Sequence, residues 1–116
     1  MYGRPIMDIR FTNAKLEKLC NSDKKLRGEH GPRMCGLIQQ RLLDLQAAGT
    51  LEVMRKLPGR CHELTQNLKG LLAVDLVHPD RLAIKPDHDP LPLKDDGGLD
   101  WTKVTAIVVV GIGDYH

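Results

Sequence analysis

The sequence predicts a small α+β domain in which two N-terminal helices pack on a small, curved, mostly antiparallel β-sheet. The first half of the chain has apolar residues at helical spacing, and the second half changes to short strand-like segments separated by turn residues. At 116 residues, the chain is long enough for one hydrophobic core and too short for two. We therefore expect residues 1–116 to form a single domain.

The first predicted elements are one strand and two helices. "IMDIRF" alternates between apolar and polar residues, which is typical of a strand, and Met7 is an alternative start that would make residues 1–6 an extension. Asn13 can cap a helix that begins at Ala14. "CNSDKKLRGEHG" is expected to interrupt it, and a longer helix is predicted over residues 32–48. Its apolar stripe consists of Met34, Leu37, Ile38, Leu42 and Leu45.

The second half is predicted to supply the rest of the sheet. "TLEVMRKLPG" holds one helical turn, and "RCHELT", "GLLAVDLV" and "RLAIKP" are three strand candidates. Residues 86–100 are rich in Pro, Asp and Gly and carry five acids, so we expect an acidic loop without regular structure. Residues 101–112 are predicted as a final strand. Its continuous apolar run indicates a central strand that is covered on both faces.

Composition excludes several classes of protein. The longest apolar run, "AIVVVGIG", is far too short to cross a bilayer, and no signal peptide is visible, so a cytoplasmic location with no membrane partner is expected. The three cysteines form no Cys-x-x-Cys pair and predict reduced thiols without a metal site. Only four residues are Phe, Trp or Tyr, which excludes an open aromatic platform for stacking bases.

Charge is unevenly distributed along the chain. Residues 1–61 contain 12 basic and 6 acidic residues, a net charge of +6, whereas residues 62–116 contain 5 basic and 9 acidic residues, a net charge of −4. The basic half indicates a polyanionic partner, and the acidic half indicates a basic partner or balance within the chain. Chance unevenness in a small protein is the alternative.

Two residues stand out as candidates for chemistry. Arg81 begins a predicted strand directly after a turn, and its guanidinium can bind phosphate oxygens; an ion pair with Asp75 or Asp80 is the alternative. His116 follows a buried-looking strand, and imidazole titrates near neutral pH; a frayed tail is the alternative. If the strand persists, Asp114 and His116 share one face.

Several quoted segments together resemble the RelE/HigB toxin superfamily, and more closely its plasmid-maintenance-killer (HigB-like) branch. They are "RCHEL", "LKG", "AVDLVHPDRLAIKP", "DGGLDW", "VTAI" and the final "DYH". With the order of helices and strands included, the resemblance extends from Met7 to His116. The resemblance implies the toxin of a type II toxin-antitoxin system: an endoribonuclease that needs no metal or cofactor and cuts mRNA on the 70S ribosome, inhibiting translation. It also implies a helix-turn-helix antitoxin (HigA-like) as partner, with DNA reached only through that antitoxin.

The resemblance also implies roles for individual residues. Arg81 matches the phosphate-binding arginine, and His116 matches the catalytic histidine. Tyr115 would stack on a base or orient the substrate. Asp114 would orient His116 or contact the ribose. Further contacts with RNA are expected from Lys69, Arg60, His62 and Lys85. For His62 and Lys69, a packed strand histidine and an exposed turn lysine remain the alternatives from the residues themselves.

The sequence departs from the family pattern at a few positions. Thr65 stands where some members carry a lysine, Gln66 replaces a glycine, and "RLAIKP" replaces the usual "RLIFEP". These changes affect the expected strength of activity more than its type. A second hypothesis is therefore a weak or inactive member that serves as an antitoxin-binding partner and co-repressor. A third is an unrelated α+β domain in which the C-terminal histidine is incidental.

Overall fold

A computed structural model describes residues 6–116 and confirms the α+β class. Five strands form one sheet in the order β1-β5-β4-β3-β2. The pair β1–β5 is parallel, and the other three pairs are antiparallel. The strands are β1 (Asp8–Phe11), β2 (His62–Glu63), β3 (Leu72–Asp75), β4 (Arg81–Pro86) and β5 (Ala106–Gly113). The proposed extension over residues 1–6 lies almost entirely outside the described residues.

Two helices cover one face of the sheet. The first, α1 (Ala14–Cys20), begins as predicted, because the Asn13 side chain accepts a hydrogen bond from the backbone N–H of Leu16 at 2.8 Å. The second, α2 (Asp23–Ala48), starts earlier than predicted, with Ser22 as its N-terminal cap. The expected interruption over "CNSDKKLRGEHG" is therefore wrong for most of that segment. What remains of it is a kink at Gly31, whose φ of +82° lies in the left-handed region.

One hydrophobic core joins the helices to the sheet. Met34, Ile38 and Leu45 of the predicted stripe are buried, whereas Leu37 and Leu42 are partly buried against the core. From the sheet, the core receives Leu72, Val74, Leu82, Ile84, Ile107 and Val109. The alternating residues Ala73 and Ala83 are also fully buried but lie outside this cluster. Strand alternation thus separates a helix-facing layer from a second face.

Several predicted boundaries change in the structure. The strand expected over "RCHELT" shrinks to two residues, and the final strand starts at Ala106, because Trp101–Lys103 forms a short 3-10 helix. β5 is an interior strand with both neighbours paired, although β4 occupies the middle of the sheet. The loop over residues 86–100 contains an isolated β-bridge between Leu93 and Leu99, so it is more ordered than expected. The predicted helical turn is a 3-10 helix at Leu51–Lys56.

Candidate functional site

The row of charged residues at one end of the sheet is the starting point of the site. Asp75 at the end of β3 pairs in register with Arg81 at the start of β4, and Arg81 pairs with Gly113 at the end of β5. On the other side, the backbone N–H of Asp75 donates to the carbonyl of Gly59 at 2.7 Å. Arg60, Asp75 and Arg81 are therefore neighbours across the sheet.

Asp75 forms ion pairs with both arginines. Its Oδ2 accepts from Nε of Arg60 at 3.0 Å, and its Oδ1 lies 3.3 Å from Nε of Arg81. The Arg81 side chain is only 13% exposed, whereas that of Arg60 is 63% exposed. Solvent screens the Arg60 pair more strongly, so Arg81 is the more firmly held of the two cations. The alternative of an Arg81–Asp75 ion pair is confirmed, and Asp75 rather than Asp80 is the partner among the described residues.

The backbone around Arg60 is unusual. Arg60 has a φ of +47°, a conformation that costs a residue with a side chain about 1–2 kcal/mol. Gly59 before it also has a positive φ, and a Cβ there would lie 2.7 Å from Cγ1 of Val74 and 2.8 Å from Nε of Arg41. The chain therefore needs glycine at position 59 to bring Arg60 beside Asp75.

Arg81 also connects the sheet to the C-terminal residues. Its Nη1 donates to the backbone carbonyl of Tyr115 at 2.8 Å. Strand β5 ends at Gly113, one residue beyond its predicted end, so the last three residues do not continue the strand. The hydrogen bond from Arg81 replaces strand pairing as the contact that holds this tail beside β4.

The Tyr115 ring folds back over strand β5. A Cβ placed on Gly111 would overlap the Tyr115 hydroxyl, and a Cβ on Gly113 would contact Cε2 of the ring at an ordinary 3.8 Å. Glycine at position 111 therefore leaves the space that the phenol occupies. This space, called the Tyr115 seat below, holds the side chain of Tyr115 on the sheet. The adjacent His116 instead lines the cleft described below.

His116 has two polar or aromatic neighbours. Its Nδ1 is in close contact with Oδ1 of Asp114, so the expected association of these two residues is present although the strand has ended. The ring centroid of His116 lies 6.2 Å from that of His78, with an angle of 78° between the ring planes. The carboxylate of Asp114 orients the imidazole and fixes its tautomer.

These residues surround an open cleft with a volume of about 310 Å³. It is lined by Arg60, Asp75, Leu76, His78, Pro79, Asp80, Arg81 and His116. The cleft combines two guanidiniums with two imidazoles. Guanidinium stabilises negative charge on phosphate, and imidazole transfers protons near neutral pH. This set can support proton transfer at a bound phosphate.

The structure separates the other predicted RNA contacts from this cleft. Lys69 lines a different groove, together with residues of the 86–100 loop. Lys85 is near the far end of β4, opposite Val108. His62 pairs with Ala73 in the sheet, and its Nδ1 lies 2.8 Å from the carbonyl oxygen of Arg60, which places it next to the cleft but not in its lining.

Sequence reasoning missed one supporting residue, Arg41 of α2. Its side chain is 12% exposed, its Nε donates to the carbonyl of Asp75 at 3.2 Å, and its Nη1 lies 3.5 Å from Asp44. Arg41 therefore braces the strand end that carries Asp75. No signal in the sequence links it to position 75, because the two residues are 34 positions apart on different elements.

The cysteines do not contribute a nucleophile to the site. Cys20, Cys35 and Cys61 are buried free thiols, as expected. Burial raises the pKa of Cys20 to about 11 and that of Cys61 to about 12, which keeps both protonated at neutral pH. Within residues 6–116, no three His, Cys, Asp or Glu side chains converge in a way that would hold a metal ion. No helix of that part of the chain is both long and apolar enough to cross a membrane.

The comparisons with known proteins identify the fold. No protein-family model and no curated protein matches the chain. Among solved structures, the YoeB-YefM complex from Staphylococcus aureus is similar, with a TM-score of 0.52 and 20% sequence identity. The similarity covers 98% of this chain and 99% of the other. The chain has a YoeB/RelE-like fold. The fold expected from the resemblance is therefore confirmed, while the HigB-like branch stays a prediction.

Proposed function

We propose that this protein is the toxin of a type II toxin-antitoxin system and that it cleaves mRNA on the ribosome without a metal ion. The observation that supports this most directly is the cleft at the start of β4, where Arg81, Arg60 and His116 meet. The YoeB/RelE-like fold is consistent with the proposal. The HigB-like branch of the RelE superfamily and a cytoplasmic location belong to the same proposal.

The reaction proposed is attack of a ribose 2′-hydroxyl on the adjacent phosphate. Arg81, assisted by Arg60, stabilises the negative charge that develops on the phosphate oxygens. His116 removes the proton of the 2′-hydroxyl, and Asp114 holds the imidazole in the tautomer that can accept it. Tyr115, held over Gly111, positions the neighbouring nucleotide. His62, Lys69 and Lys85 contact phosphates farther along the RNA.

A helix-turn-helix antitoxin of the HigA-like kind is the proposed partner. The similar solved structure is a complex of two proteins, YoeB and YefM, which supports a partner for this chain as well. DNA is reached only through that antitoxin. The 70S ribosome and its mRNA are the proposed polyanionic partners of the basic N-terminal half.

One observation favours the second candidate, a catalytically weak family member that acts as an antitoxin-binding co-repressor. Asp75 already neutralises much of the charge of both Arg60 and Arg81 in the free protein. A phosphate must compete with this carboxylate for the guanidiniums. These ion pairs would therefore weaken phosphate binding. The imidazoles proposed to transfer protons stay in place.

The two candidates are separated by measuring growth arrest and mRNA cleavage. Wild type and His116→Gln are induced in cells, and cleavage on translating ribosomes is mapped by primer extension. We expect wild type to arrest growth and cut mRNA, and His116→Gln to lose about 10²–10⁴-fold in cleavage rate, the usual contribution of a general acid or base. His30→Gln, the same substitution on helix α2 away from the cleft, is the matched control.

Each result assigns one of the candidates. If wild type neither arrests growth nor cuts mRNA, the nuclease proposal is wrong and the co-repressor remains. Cleavage by His116→Gln at the wild-type rate would instead remove His116 from the reaction while leaving the nuclease in place. The co-repressor predicts that the chain changes the antitoxin's affinity for DNA in both the wild-type and the His116→Gln form.

A further inference from the structure

The histidine at position 78 occupies the turn between β3 and β4. A histidine in a turn commonly stabilises it through a side-chain hydrogen bond, but backbone groups close this turn by themselves. The N–H of Leu76 donates to the carbonyl of Asp80 at 3.0 Å, and the N–H of Asp80 donates to that of Val77 at 2.8 Å. The exposed imidazole of His78 is therefore available for another role.

The geometry places this imidazole beside the proposed catalytic histidine. The two ring centroids are 6.2 Å apart, and the rings are nearly perpendicular, so they are not stacked face to face. Both rings line the same cleft as Arg81. This separation is too short for a phosphate between the rings, so a bound phosphate would contact both from the open side of the cleft, with a hydrogen bond of about 2.7–3.0 Å to each. The cleft thus presents two proton-transfer groups to one phosphate-binding arginine.

We propose that His78 is the general acid of the cleavage reaction, paired with His116 as the general base. This inference rests on the proposed nuclease function and goes beyond it, because it assigns the proton that the leaving group needs. Arginine cannot give up a proton in a protein, so the guanidiniums of the cleft do not compete for this role. Among the side-chain types around the cleft, only imidazole titrates near neutral pH.

The step is balanced for protons and bonds. Neutral His116 takes the proton from the 2′-hydroxyl, and the 2′-oxygen forms a new bond to phosphorus. The bond between phosphorus and the 5′-oxygen breaks, and imidazolium His78 donates its proton to that oxygen. The products are a 2′,3′-cyclic phosphate and a 5′-hydroxyl. After the step His116 carries the proton taken from the 2′-hydroxyl and His78 is neutral, and proton exchange with water restores both histidines.

The neighbouring charges support this division of roles. Asp114 contacts Nδ1 of His116, which leaves Nε2 to accept a proton. His78 is exposed and lines the same cleft as Arg81.

A sulfur substitution at the scissile bond tests the assignment. The probe is an mRNA, bound on the ribosome, whose mapped cleavage site carries a bridging 5′-sulfur in place of the 5′-oxygen. A thiolate leaves without a proton, because a thiol is far more acidic than an alcohol. We expect His78→Ala to lose about 10²–10⁴-fold in single-turnover rate on the oxygen linkage. On the sulfur linkage, its rate should return to within about 10-fold of wild type.

The controls separate the possible failures. His116→Ala should stay slow on both linkages, since the 2′-hydroxyl still needs a base, and His30→Ala should match wild type on both. His78→Asn, which keeps a polar side chain of similar size, must reproduce the rescue if His78→Ala unfolds. An equal loss on both linkages, or no loss at all, overturns the role of His78. If wild type cuts neither substrate, the proposed nuclease function itself is wrong, and the acid role falls with it.

Discussion

The two ends of strand β4 carry similar residue types in different arrangements. At its start, the cleft end, Arg81 faces Asp75, Arg60 and His116 around one open space. Beyond its other end, the loop end, two acidic residues, Asp87 and Asp100, each have a separate partner. Asp87 accepts two hydrogen bonds from Arg10 at 2.7 and 3.0 Å, and Asp100 caps the 3-10 helix through the N–H of Thr102 at 3.1 Å.

The charges at the loop end stabilise the loop, whereas the charges at the cleft end can bind a ligand. Charges with one local partner each stabilise a loop, and their pKa values show it: hydrogen bonds from Arg10 and Thr102 lower the pKa of Asp87 and Asp100. Charges that share partners around a cleft can exchange them for a ligand. The sequence left open whether the acidic half faces a basic partner or is balanced within the chain, and the Arg10–Asp87 pair balances part of the loop's charge within the chain.

Among variants that compare the two ends of β4, the largest effect is expected from removing the cation at the cleft end. Arg81→Ala should lower the single-turnover rate of RNA cleavage by about 10²–10³-fold, because one charge-stabilising donor is lost. Lys85→Ala, on the same strand at the loop end, should weaken RNA binding and reduce the slope of log affinity against log salt by about one. If both variants reduced the single-turnover cleavage rate of bound RNA equally, the two ends of β4 would not differ in function as proposed.

A smaller effect is expected from filling the Tyr115 seat. Gly111→Ala places a methyl group where the phenol lies, and displacing the tail by about 1 Å is expected to slow cleavage by up to about 10²-fold. Gly113→Ala is the matched control, because its Cβ would meet the same ring at 3.8 Å. Cleavage rates and thermal unfolding of both variants are measured together. Similar rates for the two variants would show that the position of Tyr115 is unimportant.

The smallest effect is expected at the loop end and concerns stability. The folded-state pKa of Asp87 is lowered, so its stabilising contribution is present above the unfolded pKa of about 3.9 and is lost as pH falls through the folded value. Asp87→Asn should therefore lower the melting temperature slightly at pH 7 and flatten its decrease below pH 4. Asp89→Asn in the same loop is the charge-matched control. If the melting temperature of Asp87→Asn decreased below pH 4 as steeply as that of wild type, the Arg10–Asp87 ion pair would not be the source of that decrease.

The elements that the sequence predicts well are those whose signals are local. Asn13 caps α1 because its side chain accepts a hydrogen bond from the backbone three residues ahead, and the predicted strand segment "RLAIKP" matches the bounds of β4. The helix over residues 23–30 was missed because its glycine and its many charges weaken the helical pattern. Ser22, which caps this helix, is the local signal for its start.

The site depends on contacts that sequence spacing does not reveal. Arg81 and His116, both singled out from the sequence, line one cleft, but only the fold shows that Asp75 pairs with both Arg60 and Arg81. His78 and His116 are far apart in sequence and meet because β4 and β5 are antiparallel neighbours. Lys69 and Lys85 were grouped with them by residue type, and the sheet places them elsewhere.

The double ion pair of Asp75 has a consequence for ligand exchange in the cleft. An anion that enters the cleft exchanges with a resident carboxylate instead of filling an empty positive pocket, so its gain in charge attraction is offset by the displaced aspartate. We therefore expect small anions such as inorganic phosphate or sulfate to bind the cleft weakly. Under the proposed function, a compound that also contacts the sugar and base positions next to Tyr115 would bind more tightly.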